Sequence, residues 1–135
     1  MSNRFTYHVT DEEIVQGLET AFGLPVIYSF DANKGAVPTT DFFLYAPREI
    51  QFPEEQRYLY QEVHFLFVSA HLETNKEWEI IDVLQGLGLR IRKVEYDTVA
   101  LTDRQDTADV LLFTTIRKVM DNEPNRVARK ARRNA

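Results

Sequence analysis

Residues 58–88 read YLYQEVHFLFVSAHLETNKEWEIIDVLQGLG, and a change of period inside this stretch decides the fold. Across 58–69, Leu59, Val63, Phe65 and Phe67 fall on one face of an extended chain, because successive side chains of a strand point to opposite sides. Gln61 interrupts that face. Glu62 and His64 take the other face, followed by Leu66 and Val68, so the first half reads as half-exposed and the second as covered on both sides. Beyond Ser69 the period lengthens. Thr74 and Glu77 have the T-x-x-E spacing of a capping box, in which a hydroxyl and a carboxylate satisfy amides that a helix start leaves orphaned. Ile80, Val83, Leu84 and Leu87 then recur at helical spacing, with Trp78 and Ile81 widening the stripe. An apolar stripe this wide cannot face water. It predicts a helix over about 75–86 that packs on the strand, with Trp78 and Leu84 in the core and Gly86 and Gly88 at its end.

Working upstream, Thr10 and Glu13 form a second T-x-x-E pair ahead of Ile14, Leu18 and Phe22, and Gly23 and Pro25 stop the pattern, which places a helix at 11–22. Val26 to Phe30 is β-prone, 31–40 is a loop, and Phe42 to Tyr45 is a second strand that Pro47 is expected to end. Residues 47–57, PREIQFPEEQR, then read as an exposed loop or arm. Downstream, 89–97 mixes apolar and charged residues as an edge strand does. Residues 98–108 are rich in turn formers, and 109–119 return to strand. The expected order is α-β-β-β-α-β-β in one α+β domain over 1–120, a mainly antiparallel β-sheet with two helices packed on it. Residues 121–135 form a basic tail.

Composition narrows the function. The 135 residues carry a net charge of −5 that is unevenly divided. Residues 124–135 hold five bases and no acid; the remaining 11 bases and all 21 acids give the first 123 residues −10. An acidic body does not suit a fold that grips nucleic acid, and the tail reads as a separate element. With no cysteine there is neither a disulfide framework nor a thiolate metal site. The opening MSNRFTYHVTDEE lacks the apolar core of a secretory signal, and no apolar run nears the roughly 18 residues that span a bilayer. His8, His64 and His71 do not have the spacing of converging metal ligands, and Asp103, Asp106 and Asp109 lack the glycine and the two-residue spacing of a calcium loop, so the latter read as a solvated turn. Ser69 and His71 have no evident third partner for a triad, and Gly86-Leu87-Gly88 follows a helix rather than opening one, so it is no phosphate cradle. The sequence is read as non-enzymatic, with no catalytic, cofactor or metal residue. The aromatics of the first three strands read as core, because RNA-binding sheets pair such residues with basic ones and these strands are acidic or neutral.

The run LETAFGLPVIYSF, TTDFFLYAPREIQF, YLYQEVHFLFVSAHLETNKEWEIIDVLQGLGLRIRKVEYD and VLLFTTI resembles the tail-terminator (tail-completion) proteins of long-tailed bacteriophages. These are small α+β domains with an N-terminal helix, a hairpin with a long loop, an aromatic-rich strand, a second helix and a closing strand pair. The resemblance covers about 110 residues and lies in element order. It implies a ring, commonly a hexamer, in the virion neck. Such a ring is assembled in the host cytoplasm, stops growth of the major tail-tube protein, docks on the head–tail connector and passes DNA through its lumen. A negative lumen would repel phosphate and let DNA slide. The basic extension is outside the family pattern. The candidate assembly surface is Phe52, Glu54, Glu55 and Arg57, with Arg126, Arg129, Lys130, Arg132 and Arg133 of the tail. The rival readings are a head-closure or adaptor ring of the same neck, and a small cytoplasmic α+β enzyme or regulator.

Overall fold

A computed structural model of the chain describes residues 5–28, 41–52, 59–100 and 107–122. The elements in order are β1 (Phe5–Tyr7), α1 (Asp11–Phe22), β2 (Val26–Tyr28), β3 (Phe42–Gln51), β4 (Leu59–Ser69), α2 (Lys76–Gly86), β5 (Arg90–Ala100) and β6 (Thr107–Asp121). The fold is α+β: a six-stranded sheet with two helices. The strand β6 is its spine. One edge of β6 pairs antiparallel with β4, from Leu59 opposite Val119 to Ser69 opposite Asp109. The other edge carries β5 along most of its length and β1 at its end, both antiparallel. The sheet continues from β4 to β3 antiparallel and closes on β2, which joins β3 in parallel. That parallel pair makes the sheet mixed, which the alternation of side chains could not reveal. The three-residue β1 was also absent from the sequence reading; FTY is too short to show a period, and its partner β6 lies more than a hundred residues away.

Helix α1 has the bounds its caps predict. Thr10 Oγ1 accepts the Glu13 N–H at 3.2 Å, and Glu13 Oε1 accepts the Thr10 N–H at 3.2 Å, so two orphan amides are satisfied reciprocally. Gly23 ends the helix in the left-handed region at φ 65°, donating its N–H to Glu19 O at 2.8 Å. Helix α2 starts differently from the expectation. Its N-cap is Asn75 rather than Thr74, held at φ 67°, and no side chain caps it. Asn tolerates the left-handed region that Thr, with a branched Cβ, avoids. Trp78 also departs from the predicted core and is 61% exposed. It precedes Ile80 by two residues, about 200° around a helix, so burying Ile80 and Leu84 turns Trp78 outward.

Pro47 does not end β3, which runs on to Gln51. Phe43 donates its N–H to Pro25 O at 2.9 Å, so its amide points away from β4. With a period of two, position 47 points the same way. The last described residue of β2, Tyr28, pairs with Tyr45, so the missing proline N–H lies on the β2 side of β3 and costs no bond of the β3–β4 ladder. A bulge between Pro47 and Ile50 absorbs the irregularity. Residues 47–51 are therefore strand rather than arm; the rest of that proposed arm, 53–58, and the loop 31–40 lie outside the described residues. At the other hairpin, β5 extends to Ala100 and β6 begins at Thr107, so cross-strand pairing claims 98–100 and 107–108 of a segment whose composition reads as turn; 101–106 lie outside the described residues.

The main core lies between the helices and one sheet face. Ile14 and Leu18 of α1 and Ile80 and Leu84 of α2 are fully buried over Phe43, Val63, Phe65, Leu111 and Phe113. A second cluster on the opposite face joins Phe42, Val68, Ala108 and Val110 with the half-buried Leu44 and Leu66, as the doubly covered second half of β4 requires. Leu84→Ala should cost about 2–5 kcal/mol in denaturant unfolding. Trp78→Ala should stay within about 0.5 kcal/mol of the parent, as surface substitutions do.

Candidate functional site

Three groupings of polar or exposed residues could carry function: a buried ionic cluster, the turn after β4, and the exposed aromatic surface with the sheet edges.

The buried cluster explains Gln61. Arg117 of β6 stands directly opposite it and is 1% exposed. Its Nε and Nη2 donate to Gln61 Oε1 at 2.9 and 2.7 Å, and its Nη1 donates to Val9 O at 3.0 Å and Asp11 Oδ1 at 2.7 Å. The Tyr7 ring centroid lies 4.0 Å from the guanidinium carbon. Gln61 Nε2 in turn donates to Arg48 O at 3.0 Å, next to the β3 bulge. The bonds of this cluster tie β1, the start of α1, β3, β4 and β6 together. The sequence signal for it was the break at Gln61; its partner, 56 residues on, was hidden within a run read only as strand.

The turn after β4 gathers Ser69, Asp41 and His71. Ser69 Oγ lies 2.9 Å from Asp41 Oδ1 and 3.0 Å from His71 O, the two acceptors open to its single proton, and it accepts the His71 N–H at 3.3 Å. The His71 imidazole takes no part in these bonds; the group facing the hydroxyl is the Asp41 carboxylate. Asp109 is half-buried on β6 and accepts the Leu72 N–H at 3.1 Å. It braces this turn rather than lying in a solvated one, while Asp103 and Asp106 lie outside the described residues. His64 and Glu62 share a face as predicted, 3.0 Å apart. Among the described residues no three ligating side chains could hold a metal ion together. No described helix is long and apolar enough to cross a membrane.

The exposed surface is more distinctive. Phe52, nominated from the sequence, directly follows β3 with 58% exposure, and its ring meets Phe5 of β1 edge-on at 6.3 Å and 62°. Phe5 therefore joins the candidate surface, a contact invisible without β1. Glu54, Glu55, Arg57, Arg126, Arg129, Lys130, Arg132 and Arg133 lie outside the described residues. On the far side of the sheet, β5 leaves Tyr96 and Val99 exposed, and no described strand pairs with its outer edge. Along β5 the Thr98 amide donates to Asp97 Oδ1 at 2.8 Å.

Comparison with protein-family models and with curated proteins finds no match. Two substitutions separate support from surface. Gln61→Leu should cost about 1.5–3 kcal/mol, because it strips a buried cation of its main acceptor. Phe52→Ser should leave stability within about 1 kcal/mol and lower self-association measured by light scattering.

Proposed function

We propose that this chain is a structural subunit of a ring at the head–tail junction of a long-tailed bacteriophage, where it terminates the tail tube and joins it to the head connector. The observation that carries the reading is the element order: a capped helix, a strand pair with a long connection, an aromatic-rich strand, a second helix and a closing hairpin. The order follows the one the resemblance to tail terminators implies except at two points: β1 precedes the first helix, and β2 and β3 pair in parallel where the resemblance implies a hairpin. Three features are in keeping with it. The described polar clusters are occupied by bonds that brace the fold. Aromatic side chains that would gain from burial stand exposed at Phe52, Trp78 and Tyr96. The −10 charge of residues 1–123 suits a lumen through which DNA slides without sticking.

In this reading the ring is a hexamer. Head-to-tail closure requires two different patches on each subunit. The Phe5–Phe52 end of the sheet supplies one of them. The basic segment 124–135 supplies an arm that contacts an acidic surface of the neighbouring subunit, the tail tube or the connector.

Electron microscopy of the purified protein, alone and with tail-tube protein, tests the reading. Rings with a central hole are expected; monomers under both conditions would reject it. Deleting 124–135 should leave the melting temperature nearly unchanged and weaken assembly. Assembly of the intact protein should fall as salt rises, and that of the truncated protein should respond less, because screening removes only what the arm supplies. Normal infectious particles carrying the truncated protein would reject the arm.

A further inference from the structure

The two edges of the sheet are not equivalent. On one side β2 is three residues long, and beyond it Pro47 presents a position without an amide. Among the described residues that edge offers only a short ladder. On the other side β5 offers 11 residues, RIRKVEYDTVA, with neither proline nor glycine; a bulge at Arg92 leaves Lys93 to Ala100 as its regular stretch. No described strand covers its outer edge, and Tyr96 there is 63% exposed.

The charges of β5 have an order. Arg90, Arg92 and Lys93 precede Glu95 and Asp97, so the strand is basic at its start and acidic after its middle. A guarded edge carrying one sign of charge repels its own copy. An edge that changes sign along its length attracts it when the two run antiparallel. Lys93 and Glu95 lie on one face of the strand, their charged atoms 3.0 Å apart, with Val94 between them on the helix-covered face.

We propose that two copies of this chain pair through β5, antiparallel, about a two-fold axis at Val94. This register sets Lys93 of each copy opposite Glu95 of the other, so that four charges alternate in sign around a square. The two Val94 side chains meet on the other face. Neighbouring registers fail. An axis at Lys93 opposes two lysines, one at Glu95 opposes two glutamates, and one at Tyr96 sets Glu95 against Asp97. An axis between residues would oppose side chains from different faces. The pairing joins two six-stranded sheets into one, with all four helices on the same side. It is an isologous joint, distinct from the head-to-tail contact that closes a ring, and it does not depend on the phage reading. A strand edge alone falls short of the roughly 1,200 Å² of a stable interface, so the pair dissociates on dilution into the micromolar range.

Sedimentation of the full chain over a wide concentration range tests this. The parent should show a concentration-dependent dimer contact. Lys93→Glu and Glu95→Lys should each weaken it about tenfold, since each puts two like-charged pairs across the joint. The double variant Lys93→Glu/Glu95→Lys should return to within about threefold of the parent, because the square of charges is restored with its signs exchanged. Both side chains are half-exposed or more, so unchanged melting curves are expected and serve as the control for folding. Single variants that associate like the parent, a double variant no better than the singles, or a monomer at every concentration would overturn the β5 joint. A ring insensitive to all three variants also overturns it while sparing the ring. A β5-dependent dimer that never closes into a ring spares the joint and overturns the ring.

Discussion

The Arg117 fork is the constraint on which the rest of the molecule depends. A guanidinium almost without solvent contact is tolerated only if its donors are met, and here Gln61, Asp11 and the Val9 carbonyl meet them. The consequence is a locked register. Sliding β6 by one residue against β4 would carry Arg117 to the opposite face and leave Gln61 unpartnered among apolar side chains. The same bonds draw the chain between β1 and α1 against the sheet, which sets where α1 begins and brings Ile14 and Leu18 over the core. Such a cluster contributes specificity more than net stability, since a well-packed apolar substitute can match a buried ion pair.

From that lock follows a sheet with two unlike faces. Both helices cover one face, where Val63, Phe65 and Phe113 are sealed from solvent. The opposite face divides along its length. At one end Phe42, Val68 and Val110 form the smaller apolar cluster; at the other, Tyr60, Glu62, Lys93 and Thr114 line an open groove. The groove mixes acidic and basic side chains, which favours contact with water or with a surface carrying both signs over capture of a small charged ligand.

The two edges of the sheet differ in length and in chemistry. Pro47 and a short β2 close one side, while β5 leaves a long ladder of backbone groups on the other. The Phe5–Phe52 contact, with Phe52 exposed and Phe5 half-buried, lies at the end of the sheet where β1 begins and β3 ends. The two surfaces are separate in position and in chemistry: one apolar and aromatic, one a strand edge with patterned charge.

Local sequence determined the α+β class, the strands around 26–28, 59–69 and 90–97, and the bounds of α1, because caps, breakers and alternation act within a few residues. It also marked Gln61 as a defect in an apolar face without saying what would meet it. Tertiary structure decided everything that needs a partner far along the chain. β1 exists because β6 offers it an edge. The strand β3 passes through Pro47 because that position faces outward, and β5 outlasts its turn-like composition because β6 pairs with it to Ala100. Trp78 and Ile80 both looked apolar and periodic; the direction in which α2 meets the sheet buries one and exposes the other. Periodicity reports which residues share a face, but which face turns inward, and which arginine finds which glutamine, is settled only when distant segments compete for the same core.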